Sequence, residues 1–157
     1  MASYYTSQAY DASASLIWSI LTDFPSWPRW FPNISSLEVD GNGRAAHGVD
    51  LVALDANRTT WTRWRIVDWR EPELLVCEHI DTNAPLSSQV QAAYLQFVLE
   101  DEPEGCTLEV EIGAEGYGLV GDFFIGATLG SEVRRLLPRL MDAFTAHVIE
   151  TVRTSGR

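Results

Sequence analysis

"QVQAAYLQFVLEDEPEGCTLEVEIGAEG", residues 89–116, places two alternating patterns on either side of one turn. Apolar side chains occupy every second position before and after the turn: Leu95, Phe97, Leu99, Leu108, Val110 and Ile112. This alternation buries one face of a strand and leaves the other in water, as an antiparallel sheet allows. The intervening DEPEG supplies the proline and glycine typical of a turn. The stretch therefore predicts two antiparallel strands.

More strand-like segments lie upstream of this pair. They are rich in branched and aromatic residues, and turn sequences such as GNG and EPE separate them. The segments span residues 34–40, 48–56, 59–69 and 74–81. Six strands in succession predict an antiparallel meander, and an aromatic, hydroxyl-rich pattern predicts a seventh strand at residues 3–10.

A short helical connector is predicted near residues 13–31, between the first strand and the meander. SASLIWSILTD has apolar residues at helical spacing, with Asp11 or Ser13 as its cap. The next stretch, DFPSWPRWFPNI, contains three prolines, which allow at most one further helical turn. The opening part of the chain is therefore expected to be compact.

The C-terminal segment predicts one long helix that ends near residue 153. Its apolar positions recur at steps of three and four residues: Leu129, Val133, Leu136, Leu137, Leu140, Met141, Phe144, Val148 and Val152. Pro138 falls on the polar face, where it is expected to bend the helix toward its apolar side. The elements together predict an α+β domain in which a twisted seven-stranded sheet grips the last helix.

Several motifs resemble the START-like, or Bet v 1-like, superfamily called SRPBCC. They are Trp18 in SLIWSILTD, Asp23, WPRWFPNI, the loop DGNGRAAHG and the hairpin LEDEPEGCTLEVEI. The chain looks most like the polyketide cyclase/dehydrase and lipid-transport branch. The resemblance covers residues 1–157 as a single domain. It implies a helix-grip fold, with a curved sheet wrapped around the C-terminal helix and a cavity between them.

Charge and composition exclude several function classes. The 22 acidic and 11 basic residues give a net charge of −11, which disfavours nucleic acid and anionic membrane surfaces as partners. The chain contains no lysine, so Schiff-base and P-loop chemistry are excluded. Cys77 and Cys106 are interpreted as packing residues in a cytoplasmic protein. His47, His79 and His147 lack a metal-binding spacing, so neither a metal nor a cofactor is expected.

Eight residues are predicted to line a ligand site. They combine aromatic residues of the connector and sheet with apolar residues of the last helix: Trp27, Trp30, Trp64, Tyr94, Phe97, Tyr117, Leu137 and Met141. At least two of Trp64, Tyr94 and Phe97 are expected to face the cavity, with Trp27 or Trp30 at one end. The tryptophans of the connector could instead simply pack the end of the domain.

The fourth strand offers two faces. Trp64 and Ile66 make the better cavity lining because small hydroxyls flank them, which leaves the arginines and Trp69 on the other face. Tyr117 lies in a glycine-rich segment and could gate entry, or the glycines could only allow a close approach of helix and sheet.

His79 and Tyr94 are the candidate catalytic residues, because a histidine and a tyrosine facing an apolar cavity could move a proton. The alternative is that they face solvent or bond to each other.

The leading functional hypothesis is the binding of a small hydrophobic molecule, lipid-like or aromatic and polyketide-like, without membrane insertion. Polyketide cyclase or dehydratase chemistry in the same cavity is one alternative. An Aha1-like protein-interaction module is another, and it would show a large exposed apolar patch. A homodimer is compatible with the sequence.

Overall fold

The computed structural model describes residues 2–83, 90–116 and 130–155, without the side chains of residues 42, 90–92 and 116. Seven strands and two α-helices follow in the order β1 Ala2–Tyr10, α1 Ala14–Leu21, β2 Ile34–Val39, β3 Asp50–Asp55, β4 Trp61–Arg70, β5 Leu74–Thr82, β6 Val90–Glu102, β7 Gly105–Gly116 and α2 Gly130–Ser155. Two 3-10 helices, Phe24–Arg29 and Asp40–Asn42, lie on either side of β2. Each predicted strand segment is confirmed.

All seven strands form one antiparallel sheet in the order β1-β7-β6-β5-β4-β3-β2. The six later strands form the predicted meander, and β1 pairs with β7 at the far edge. The side of the sheet that carries buried Leu51, Ile66, Phe97 and Val110 is called the inner face, and the opposite side the outer face. The predicted helix-grip α+β architecture is confirmed.

The connector between β1 and β2, residues 11–33, is short and well fixed by local hydrogen bonds. The Ser13 side chain caps α1 by accepting a hydrogen bond from the Leu16 backbone. The following 3-10 helix has a proline in its first turn, where the missing N–H costs nothing. The Trp27 indole donates to the carbonyl of Leu21 at 2.7 Å, which ties the 3-10 helix back onto α1.

Aromatic rings join the connector to both the sheet and α2. The ring of Trp27 meets Phe97 of β6 edge-on at 5.6 Å between centroids, and Trp30 meets Phe144 of α2 at 4.7 Å. Phe97 and Phe144 are fully buried, as are the other apolar residues of the inner face and of α2 that surround them. The core therefore lies between the inner face, the connector and α2.

A β-bulge in β4 makes one predicted face assignment wrong. Ile66 pairs with Cys77, but the next aligned pair is Asp68 with Val76, so Val67 is the extra residue. The bulge returns Trp69 to the inner face, where its ring meets Trp18 of α1 edge-on at 5.0 Å.

Candidate functional site

A cavity of about 200 Å³ lies between the end of the connector and the inner face of β2–β6. Thirteen residues line it: Trp27, Phe31, Pro32, Asn33, Ile34, Leu37, Leu51, Ala53, Asp55, Thr62, Trp64, Cys77 and Leu95. Nine of these side chains are apolar, and Cys77 behaves as a small apolar group when buried. The cavity is therefore an apolar chamber with a few polar groups.

Strand register explains why these side chains meet. Leu37 of β2 pairs with Ala53 of β3, which pairs with Thr62 of β4, so the three form one row across the inner face. Leu51 pairs with Trp64 in the next row. Residues directly opposite each other in an antiparallel sheet point to the same side, so both rows face the connector.

Two polar residues of the cavity, Asn33 and Asp55, lie at its open end. Exposure rises along β3 from buried Leu51 and Ala53 to half-buried Asp55, and Asn33 is exposed. The Asn33 backbone lies in the left-handed region with φ of 63°, a conformation that asparagine adopts more readily than most residues. Its carbonyl accepts a hydrogen bond from the Ala56 backbone at 3.0 Å, which holds Asn33 beside the end of β3.

The backbone of Asp55 is held by hydrogen bonds, whereas its carboxylate has no partner among the described residues. Its N–H donates to the Thr60 carbonyl at 2.8 Å, and its carbonyl accepts from the Ser35 hydroxyl at 2.8 Å. Among the described residues, no side chain forms an ion pair or a hydrogen bond with the Asp55 carboxylate. The group is thus held in place by its backbone while its oxygens remain available to a molecule in the cavity.

Cys77 contributes a thiol to the buried wall of the cavity. Burial raises the pKa of this thiol to about 12, so it stays protonated at neutral pH. A protonated thiol is a poor nucleophile, so Cys77 acts here as an apolar wall group. The interpretation of Cys77 as a packing residue agrees with this placement.

The structure places the predicted site residues in three different environments. Trp27 and Trp64 line the cavity, at its connector side and its sheet side respectively. Trp30 and Phe97 are buried in the aromatic contacts behind Trp27 and do not reach the cavity surface. Of the three sheet aromatics expected to supply at least two lining residues, Trp64 alone lines this cavity.

Leu137 and Met141 of α2 are buried, but neither lines this cavity. Met141 accepts a hydrogen bond from the Tyr10 hydroxyl at 3.4 Å, which places its sulfur near the end of β1. Within the described part of α2, no residue contributes to the wall of this cavity, which lies between the sheet and the connector. The predicted gate, Tyr117, lies outside the described residues.

His79 and Tyr94 lie on opposite faces of the sheet, so they neither face one cavity together nor bond to each other. Tyr94 pairs with Glu78, the neighbour of His79, so its side chain points to the outer face. There the phenol lies across Gly113 of β7, where a Cβ atom would overlap the ring, and hydrogen-bonds with Ser3. The pair cannot act together on one ligand.

His79 remains on the inner face because it pairs with Trp64 across β4 and β5. The two rings meet edge-on at 5.7 Å between centroids. Partial burial lowers the pKa of His79, and the opposing effect of Asp81 is smaller. The imidazole is therefore neutral at pH 7, with one nitrogen able to accept a proton.

Most of the lining residues were not predicted. DLVALD, the sequence of β3, carries the signal that could have found three of them, because Leu51, Ala53 and Asp55 alternate on one face. Phe31 could have been inferred with the other connector aromatics, since its ring stacks on Trp27 at 5.3 Å.

The described residues also bear on metals and membranes. Within residues 2–83, 90–116 and 130–155, no group of three or more histidine, cysteine or acidic side chains is arranged to hold a metal ion. In the same ranges, none of the helices has both the length and the apolar character needed to cross a lipid bilayer.

Comparisons with known structures agree with the geometry of the fold. A START superfamily protein from Mycobacterium smegmatis superimposes with a TM-score of 0.65 and 18% sequence identity, covering 95% of this chain and 98% of that one. Norcoclaurine synthase from Thalictrum flavum, solved with dopamine and hydroxybenzaldehyde, superimposes with a TM-score of 0.70 and 15% sequence identity. The match covers 95% of this chain and 87% of that one. TTHA0849, a protein from Thermus thermophilus, superimposes with a TM-score of 0.70 and 11% sequence identity. The match covers 96% of this chain and 99% of that one. At these identities the similarity shows the fold alone.

Sequence comparison identifies the family. No curated protein sequence matches the chain. The family model described as polyketide cyclase/dehydrase and lipid transport, in contrast, matches residues 1–148. Because that match spans nearly the whole sequence and the fold agrees with it, the chain belongs to the polyketide cyclase/dehydrase and lipid transport family of the SRPBCC superfamily.

Proposed function

We propose that the protein binds a small, mostly apolar molecule in the cavity between the connector and the inner face of the sheet. The observation that carries the proposal is the cavity itself, about 200 Å³ of space with an apolar wall and polar groups at its open end. Small-molecule sites have this composition, because apolar walls supply affinity and a few polar groups fix orientation. The family match supports the same function class.

Tryptophan fluorescence gives a direct test, because Trp27 and Trp64 both line the cavity. Azulene, a flat apolar compound of two fused rings, should quench the emission in a saturable way. Trp64→Phe should reduce the quenching, whereas the control Trp61→Phe on the same strand should not, since Trp61 does not line the cavity. The absence of saturable quenching, together with no heat of binding in calorimetry, would contradict the proposal.

Cyclase or dehydratase chemistry is a second proposal, and the placement of His79 is the observation in its favour. His79 is not among the residues that line the cavity, but its neutral imidazole contacts the lining residue Trp64. From there it could accept a proton from a carbonyl compound that extends past Trp64. His79→Ala should then lower turnover of a linear polyketone about a hundred- to ten-thousand-fold. Tyr94→Phe is the matched control on the outer face and should leave turnover unchanged. Equal turnover in wild type and His79→Ala would refute a catalytic role for the histidine.

The protein-interaction module remains a hypothesis from the sequence. Large apolar side chains that are exposed in the described residues belong to four separate elements, namely β1, α1, β5 and α2. This distribution does not favour any one element as a docking surface.

A further inference from the structure

The size of the cavity limits which apolar molecules could enter it. Sites for drug-sized ligands enclose roughly 300–1,000 Å³, and an engineered apolar cavity of about 150 Å³ accommodates benzene. At about 200 Å³, the cavity accommodates one ring with a substituent or two fused rings. A long acyl chain or an extended polycyclic compound would fit only in part, and the rest of it would lie beyond the open end.

Aromatic side chains line two sides of that space. The stacked rings of Trp27 and Phe31 come from the connector, and Trp64 comes from β4. The small side chain of Ala53 leaves room between them at the sheet surface. Planar rings pack well against such surfaces, since aromatic pairs gain stabilisation beyond the area that they bury.

Charge decides between ligands of similar size. The carboxylate of Asp55 lines the open end, and none of the described lining residues is an arginine. Arg63 and Arg65, which point outward from β4, bind Asp50 on the outer face. The third arginine of the strand, Arg70, binds Asp68. An anionic ligand would therefore place its charge beside the carboxylate of Asp55, with no arginine among the described lining residues, in a protein of net charge −11. A hydroxyl or ammonium group, in contrast, can donate a hydrogen bond to the carboxylate.

We propose that the ligand is a non-anionic aromatic molecule of one or two rings that donates a hydrogen bond to Asp55. This inference rests on the proposed binding function and narrows it to a chemical class. It separates the protein from a fatty-acid carrier, whose ligand is both longer and anionic. Asn33, at the same open end, can accept or donate a second hydrogen bond.

Calorimetric titration with one ring system and four substituents tests the proposal. The compounds are 2-naphthol, 2-(aminomethyl)naphthalene as a cation, 2-methylnaphthalene as an apolar reference and 2-naphthoate as an anion. 2-Naphthol and 2-(aminomethyl)naphthalene, which can donate a hydrogen bond, should bind about three- to tenfold more tightly than 2-methylnaphthalene. This is the ratio of dissociation constants expected for one hydrogen bond. 2-Naphthoate should bind at least about threefold more weakly than 2-naphthol, because its carboxylate would lie beside that of Asp55 and like charges repel. 1-Pyrenemethanol, with four fused rings, should bind more weakly than 2-naphthol, because only part of it fits inside the cavity.

The variant Asp55→Asn identifies the group responsible, and Glu38→Gln is its matched control. Both remove one negative charge, but Glu38 is exposed on β2 and does not line the cavity. In Asp55→Asn, the dissociation constant of 2-naphthoate should fall to within about threefold of that of 2-naphthol. In Glu38→Gln, the ratio of the two dissociation constants should stay at its wild-type value. The Asp55 contacts described above all involve its backbone, so the variant should fold normally.

The outcomes separate this inference from the proposed function. Equal binding of 2-naphthoate and 2-naphthol to the wild type, an unchanged ratio in Asp55→Asn, or binding of 1-pyrenemethanol as tight as that of 2-naphthol would overturn the inference alone. No binding of any of the four naphthalenes would overturn the proposed function as well.

Discussion

Ala53→Leu tests whether the cavity is real space that a ligand needs. Ala53 lies in the middle of the cavity wall, between its cross-strand partners Leu37 and Thr62. A leucine at this position adds three carbon atoms that point into the cavity and leaves the backbone of β3 unchanged. The substitution therefore fills the site from within.

The expected change in stability follows from the burial of those atoms. At about 0.8 kcal/mol for each buried carbon, three carbons raise the free energy of unfolding by at most about 2.4 kcal/mol. The open end near Asp55 leaves part of the new surface in water, so we expect an increase of about 0–1.5 kcal/mol. If no space were present, the added atoms would overpack the core and lower the free energy of unfolding by about 1–3 kcal/mol.

Urea denaturation and calorimetry with 2-naphthol measure the two effects separately. Because the filled cavity would be smaller than one that accommodates benzene, affinity should fall at least about tenfold. Ala9→Leu is the matched control, since Ala9 is exposed on β1 far from the cavity wall in the sheet order. A stable Ala53→Leu protein that binds 2-naphthol as tightly as the wild type would refute the assignment of the site.

Two further predictions concern stability. Burial holds the pKa of His79 and of His147 below the usual 6.5, so each group favours folding above that pH and loses this contribution as the pH falls toward its folded pKa. Replacing both with glutamine should reduce the loss of unfolding free energy between about pH 7 and 5 in urea titrations, and an unchanged loss would contradict this reasoning. Gly105→Ala should lower the free energy of unfolding by at least about 2 kcal/mol, because φ is 150° and a Cβ would overlap the last carbonyl oxygen of β1. Gly43→Ala, with open space around it, should change this value by less than about 0.5 kcal/mol, and similar effects at the two glycines would contradict the reasoning.

The secondary structure could be predicted because its signals are local. The alternation of Leu108 and Val110 with Glu109 is enough to identify a half-buried strand, and β7 has that burial pattern. Ser13 was one of two predicted caps for the first helix, and the side chain of Ser13 makes the capping bond. Each of these features depends on residues within a few positions of one another.

The faces of the strands could not be predicted equally well, because register depends on distant partners. Trp69 changes face owing to one extra residue at Val67, and nothing in the sequence around it marks that bulge. His79 and Tyr94 lie on neighbouring strands, but the alignment of β5 with β6 pairs Tyr94 with Glu78 instead. A shift of one residue in that alignment would have placed both side chains on the same face.

The same nonlocal packing determines where the cavity lies. Trp30 and Phe144 are 114 positions apart in the chain, yet their rings fill the space between the connector and α2.

The prolines of the connector explain how a site of this size can persist. Proline restricts the backbone of the unfolded chain, so fixing residues 24–32 in one path costs less entropy than it would for a flexible loop. That path carries Trp27 and Trp30 into the core, where they contact Phe97 and Phe144 and occupy the space toward α2. It then carries Phe31 to the cavity wall, so the same short segment fills one part of the interior and bounds the other. Ligand size in this protein therefore depends on the connector as much as on the sheet.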